Sequence, residues 1–214
     1  MTGFLIFLLG GSILLFFMET GDVVRYFGNH RTPALDQFFI WATRAGEEIP
    51  YFLVLFIFLF IRFAFALWVP LVGLTVSLVS FALKSLFAHP RPINFFTDND
   101  LLDTVIFVEN LHTVTGMNSF PSGHTMSAFT IFAFTAFCLR QKKGVAVALL
   151  LLAILVAVSR VYLVHHFWKD VVFGGLVGVL LAMILYALMD RYILRKPGHP
   201  LNRSLLNRRQ VQKA

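Results

Sequence analysis

At 214 residues, 58% hydrophobic and 14% charged, the chain is too apolar for a soluble domain, where charged residues are about a quarter of the total. Its mean hydropathy of +0.78 marks an integral membrane protein. The net charge of +7 in so apolar a chain reads as the positive-inside bias of a membrane protein and not as a nucleic-acid surface.

The expected architecture is all-α, one domain over 1–214, with six transmembrane helices in a single bundle. Apolar stretches run roughly over 3–18, 49–64, 66–87, 122–139, 144–163 and 170–189. The first is apolar from Phe4 to Met18, and Met1-Thr2-Gly3 lacks the positive charge that opens a signal peptide, so it reads as a retained span. Thr32 is a helix cap and Pro33 suits the first position after it. Leu35, Phe38, Phe39, Trp41 and Ala42 then share one face until Gly46, which predicts an interfacial helix near 33–45. A helix simply packed on the bundle is the alternative.

The second and third stretches are nearly continuous and would make one span far longer than a bilayer needs, so a tight turn is expected near Arg62. The longest polar interval, 88–120, carries Asp98, Asp100, Asp103 and Glu109 without the spacing of a calcium loop, and reads as a solvated face covering the mouth of a site. Cys138, the one cysteine, excludes an intramolecular disulfide and falls in an apolar run as a buried thiol. The tail at about 190–214 carries Arg191, Arg195, Lys196, Arg203, Arg208, Arg209 and Lys213 and is expected in the cytoplasm. Walking back through six spans puts both termini there. Arg62, Arg140, Lys142 and Lys143 then join the inner side, which holds most of the 18 Lys and Arg.

That topology brings Lys84, Arg91, Ser122, Gly123, His124, Arg160, His166 and Asp170 to one side of the membrane. Charges near membrane depth mark substrate or ion sites. His166 and Asp170 are four apart, on one helical face about 6 Å apart along the axis. The carboxylate would fix the tautomer of the imidazole and free its other nitrogen as a nucleophile. His165 has Lys169 at the same spacing, which cannot accept a hydrogen bond, so the spacing selects His166. Gly174 and Gly178 continue the row from Asp170 and allow close helix packing. Pro121-Ser122-Gly123-His124 opens the fourth span, where free backbone N–H groups favour an anion such as phosphate. His124 is placed to give a proton to a leaving oxygen. Lys84, Arg91 and Arg160 supply positive charge to phosphate oxygens; taken singly, each could be a snorkelling cation.

Lys84-(six residues)-Arg91-Pro92, Pro121-Ser122-Gly123-His124 and Ser159-Arg160-(five residues)-His166-(three residues)-Asp170 resemble, in order and spacing, the three signature motifs of the type-2 phosphatidic acid phosphatase superfamily. Soluble acid phosphatases and vanadium haloperoxidases share these motifs; six spans point to the membrane-bound lipid phosphatase branch. The resemblance implies that His166 attacks phosphorus and becomes a phosphohistidine, that Asp170 orients it, and that His124 protonates the leaving group. Lys84, Arg91, Ser122, Gly123 and Arg160 would hold the phosphoryl oxygens. No metal or cofactor is implied.

The expected substrate is a phosphorylated membrane lipid met at the outer face of a bacterial inner membrane, with no nucleic-acid or obligate protein partner. Undecaprenyl diphosphate is favoured; phosphatidylglycerol phosphate, phosphatidic acid and a lipid A phosphate are the other candidates. A phosphorylated-lipid transporter or flippase, using the cations for binding only, is the alternative class. A haem-binding electron carrier would need axial histidines facing one another across spans.

Overall fold

The computed structural model describes residues 2–109, 111–139, 142–196 and 198–206, and every regular element among them is helical. The helices are α1 (Thr2–Phe17), α2 (Asp22–Asn29), α3 (Pro33–Thr43), α4 (Ile49–Ile61), α5 (Phe63–Phe87), α6 (Pro92–Asp98), α7 (Gly123–Cys138), α8 (Lys143–Tyr162) and α9 (Trp168–Met189). All six expected apolar stretches are helical. Three helices, α5, α8 and α9, are long and apolar enough to cross a membrane, or four spans if the bent pair α1–α2 counts as one. The 13 residues of α4 rise only roughly 20 Å, against a hydrocarbon core of about 30 Å. Arg140, Arg208, Arg209 and Lys213, used in the charge comparison, lie outside the described residues.

The break between α4 and α5 falls at Arg62, whose extended backbone (φ −165°, ψ 127°) ends one helix and starts the next. Phe58 meets Phe65 at 5.3 Å between ring centroids, and Tyr51 lies beside Gly73, so the two helices form an antiparallel hairpin. The chain bends 97° between α1 and α2. Gly21 carries that bend with φ 99°, a left-handed conformation that costs glycine little, and the Phe96 ring sits where a side chain would be. The sequence does not announce α2, which is polar on average.

Thr32 caps α3 by accepting from the Leu35 N–H, with Pro33 in the first turn. Phe39 and Ile40 pack on Tyr162 and Leu163 at the end of α8. Leu35, Phe38 and Trp41 remain exposed. The helix is thus both docked on the bundle and apolar on its free side. Around the bundle, Phe16, Phe52, Phe56, Leu78, Phe81 and Ile184 are also exposed, an arrangement that suits hydrocarbon and not water.

The centre of the bundle is the seam between α7 and α9. A Cβ on Gly174 would stand 2.9 Å from the Ser122 carbonyl oxygen, and one on Gly178 would stand 2.7 Å from that of Met126. Small residues at these two turns let the backbones touch, as the i+4 row suggests. Contacts rise together in both helices, from Gly174 with Ser122 to Gly178 with Met126, so α7 and α9 run parallel and start at the same end. Gly11 of α1 meets Val172 while Phe7 meets Gly175, so α1 runs antiparallel to α9. The start of α7 lies against Ser80 and Lys84, near the end of α5. Four helix ends therefore gather at one end of the bundle.

Gly178→Val is expected to destabilise the folded protein by about 1–3 kcal/mol, because backbone and not a flexible side chain fills the space. Gly10→Ala meets nothing within 4 Å and should leave thermal unfolding in detergent unchanged or slightly raised. Equal effects of the two substitutions would contradict the seam.

Candidate active site

The loop between α8 and α9 is shaped by the way α8 ends. The Val164 N–H donates to the Val161 carbonyl and the His165 N–H to that of Arg160, the two bonds of a Schellman closure. Glycine is the usual residue at the left-handed position, yet Val164 occupies it at φ 59°. A β-branched residue there is strained by roughly 1–2 kcal/mol. The turn brings His166 back beneath the last turn of α8, where its N–H also donates to the Arg160 carbonyl at 3.2 Å.

From there His166 enters a fully formed set of partners. It is 1% exposed. Its Nδ1 lies 3.3 Å from Asp170 Oδ2, as the four-residue spacing anticipates. Its Nε2 lies 3.0 Å from Arg91 Nη1. Since a guanidinium only donates, Nε2 is the acceptor and Nδ1 carries the hydrogen. Asp170 Oδ2 also accepts from Ser119 Oγ at 2.5 Å and from the Phe167 N–H at 3.0 Å. Burial, the Arg91 guanidinium and then Arg160 hold the His166 imidazole well below the ordinary histidine value, so it is neutral at physiological pH.

Arg91 follows α5 and caps α6. It donates through Nε to Asn118 Oδ1 at 2.8 Å and through Nη1 to the His165 carbonyl at 2.8 Å. Arg160 is equally buried and donates to Thr43 Oγ1 at 2.6 Å, while its Nε has no protein partner. Lys84 reaches the start of α7, where a Cβ on Gly123 would stand 3.6 Å from its Nζ. Ser122 is buried and caps α7, its Oγ accepting from Thr125 Oγ1 at 2.9 Å; its hydroxyl hydrogen remains free to donate. Its N–H donates to the Asp170 carbonyl at 3.0 Å. His124 is half-exposed, with Nε2 at ion-pair distance, 3.6 Å, from Glu47 Oε1. The structure therefore brings all eight expected residues to one end of the bundle.

His165 points elsewhere. Neither ring nitrogen has a protein partner, and it lies with His112 and Thr113 of the 88–120 interval. That interval folds over the α8–α9 loop and is tied down by Arg31, whose Nε donates to the Ile106 carbonyl at 2.8 Å. Its Asp98, Asp100 and Asp103 are exposed.

Four contacting side chains escape a reading by spacing. Ser119 and Asn118 are irregular-loop residues whose partners are 51 and 27 positions away. Thr43 and Glu47 belong to the stretch read as an interfacial helix and its end. No periodicity signals any of them; only the close approach of Gly46 to His124, 2.9 Å from a Cβ to its carbonyl oxygen, explains why that stretch reaches the site.

Replacing Arg91 by Gln removes the second cause of the His166 shift. Nitrogen NMR of histidine-labelled protein should show the His166 imidazole neutral down through pH 6 in the parent and titrating at higher pH in Arg91→Gln. An unchanged or lower titration point in the variant would contradict this geometry.

The chain resembles several known proteins. Over 75 residues, 31% of this chain and 37% of the relative, it is 39% identical to phosphatidylglycerophosphatase B of Bacillus subtilis. Over 121 residues, 49% of this chain and 44% of the relative, it is 28% identical to human (Homo sapiens) dolichyldiphosphatase 1. The chain thus spans less than half the length of these two relatives. The crystal structure of a transmembrane PAP2-type phosphatidylglycerolphosphate phosphatase from Bacillus subtilis superposes with a TM-score of 0.65 at 23% identity, over 91% of this chain and 98% of that one, and so shares the fold. The family model of the PAP2 superfamily matches residues 65–193, from the start of α5 to beyond the end of α9, and the chain belongs to that superfamily.

Proposed function

We propose that the protein removes phosphate from a phosphorylated membrane lipid through a phosphohistidine on His166. The observation that carries this reading is the placement of His166 between Asp170 on Nδ1 and Arg91 on Nε2, which leaves a neutral imidazole with its acceptor nitrogen aimed at a fixed positive charge.

The steps follow from the partners. A phosphoryl group entering the site takes the Arg91 N–H that Nε2 now accepts, and Lys84 and Arg160 share its remaining oxygens with the N–H groups opening α7. The Nε2 lone pair then forms a bond to phosphorus. The bond from phosphorus to the leaving oxygen breaks, its electron pair stays on that oxygen, and His124 delivers a proton there. Asp170 and Ser119 stabilise the charge that develops on the His166 ring. In the second half a water molecule gives a proton to His124, its oxygen attacks phosphorus, and the P–N bond returns its electrons to Nε2 as orthophosphate leaves.

The lipid setting rests on the exposed apolar girdle and on the relatives' names, one a phosphatidylglycerophosphatase and one a dolichyldiphosphatase. We read the three long helices and the shorter apolar ones as a six-crossing bundle with both ends in the cytoplasm. The site then opens at the outer face of a bacterial inner membrane. A transporter of phosphorylated lipids needs the cations but gives no role to a buried His–Asp pair.

Purified protein in detergent with EDTA should release phosphate from a lipid phosphate. His124→Ala is expected to lose about 10²–10⁴-fold in kcat, and His166→Ala at least as much. His165→Ala should keep most activity, because Arg91 uses only the backbone carbonyl of that residue. No release from the parent protein would support transport; equal loss at His165 would overturn the choice of nucleophile.

A further inference from the structure

A cleft of about 520 Å³ leads away from the site along α4, α5 and α7 and is apolar deeper in, at Phe52, Leu55 and Val69. It begins at His124 and Gly123, so it is where the leaving group of the proposed reaction must lie. Its polar lining is one-sided. Glu47 and Glu48 supply two carboxylates, and Tyr51, Ser77, Ser80 and Ser127 supply hydroxyls. None of the described residues lining it is Lys or Arg. Lys84 stands at the mouth of the cleft against Gly123, while Arg91 holds His166 and Arg160 holds Thr43. The cleft that leads away from His124 therefore carries carboxylates and hydroxyls in its own lining, with one cation, Lys84, at its mouth.

We infer, resting on the phosphatase reading, that Glu47 and Glu48 make this protein selective for lipid phosphate monoesters with an alcohol leaving group, over lipid diphosphates. Two independent arguments converge. The first is charge. A diphosphate leaves as a phosphomonoester, which would place a further dianion in a cleft lined by two carboxylates, within about a Debye length of both. The second is the acid. An alkoxide is a far stronger base than a phosphate and must be protonated as it leaves, whereas a phosphate leaves without help. Glu47 Oε1 stands 3.6 Å from Nε2 of His124, the residue that would deliver that proton. Gly46 is pressed onto the His124 backbone, which sets the following residue, Glu47, beside that ring. Tyr51 and Ser127, joined at 3.1 Å, add hydroxyls suited to a polar but uncharged headgroup. The cleft therefore ranks monoesters ahead of the polyprenyl diphosphate favoured on the sequence.

The test compares kcat/KM for dioctanoyl phosphatidic acid and for farnesyl diphosphate in the same detergent at fixed ionic strength. The parent protein should prefer the monoester by roughly tenfold or more. Glu47→Gln should lower kcat on the monoester and raise kcat/KM on the diphosphate. Glu48→Gln, which does not meet His124, should shift the ratio toward the diphosphate through charge alone, each by roughly threefold to tenfold. A ratio measured within one preparation is insensitive to the fraction of folded protein. A parent that prefers the diphosphate, or a ratio that neither substitution moves, overturns the inference while leaving the phosphatase reading intact. Release from neither substrate counts against that reading and takes this inference with it.

Discussion

The Asp170 side chain and backbone tie together the stretches of chain on which the whole site depends. One carboxylate oxygen accepts from Ser119, from the Phe167 N–H and from His166, and the carbonyl of the same residue accepts from the Ser122 N–H. A buried carboxylate without such donors would be strongly unfavourable. Here the donors to the carboxylate come from the loop before α7 and the loop before α9, while the cap of α7 donates to the backbone carbonyl of Asp170 in the first turn of α9. The knot that makes the charge tolerable is thus the same knot that sets α7 against α9 and aims the imidazole. The glycine seam below it, at Gly174 and Gly178, is what allows the two helix starts to come close enough to be tied. Fold and chemistry share one contact set, so a change to the seam should reach the site through Ser122 as well as through stability.

Around this knot the charges are arranged by need. Arg91 and Arg160 are buried and held by neutral acceptors: Asn118, a backbone carbonyl and Thr43. Neither forms an ion pair with a carboxylate among the described residues. Buried guanidiniums left without a counter-anion are poised to gain from an incoming one, which is the electrostatic meaning of a preorganised oxyanion site. The strained Val164 belongs to the same design, since backbone strain of this kind persists where surrounding structure enforces a functional geometry. In the cleft that opens at His124 the charged lining is instead Glu47 and Glu48.

Much of this was legible in the sequence because its physics is local or periodic. The i,i+4 pair His166–Asp170, the helix start at Pro121-Ser122-Gly123-His124, the Thr32-Pro33 helix start and the interruption at Arg62 are each short-range signals, and each stands where it was expected. The convergence of Lys84, Arg91, Arg160 and His124 followed from counting crossings, which needs only alternation. Ser119, Asn118, Thr43 and Glu47 were not legible, because their roles depend on irregular loops and on a docking of α3 that no periodicity specifies. The bend at Gly21 and the helix after it were also hidden, since a lone glycine after an apolar run equally suits a simple loop. The shortness of α4 marks a third limit: hydropathy reports an apolar stretch but not how many of its residues stay in one helix.

In the proposed reaction phosphorus is transferred to the nitrogen of one particular histidine. The most direct measurement is to mix protein with substrate labelled on the terminal phosphate, quench in alkali within the first turnover, and locate the label by peptide mass spectrometry. An acid-labile, alkali-stable phosphoryl group is expected on His166, accumulating in protein slowed at its second step. Label on His165, or a full turnover with no covalent phosphate at any time point, would contradict it.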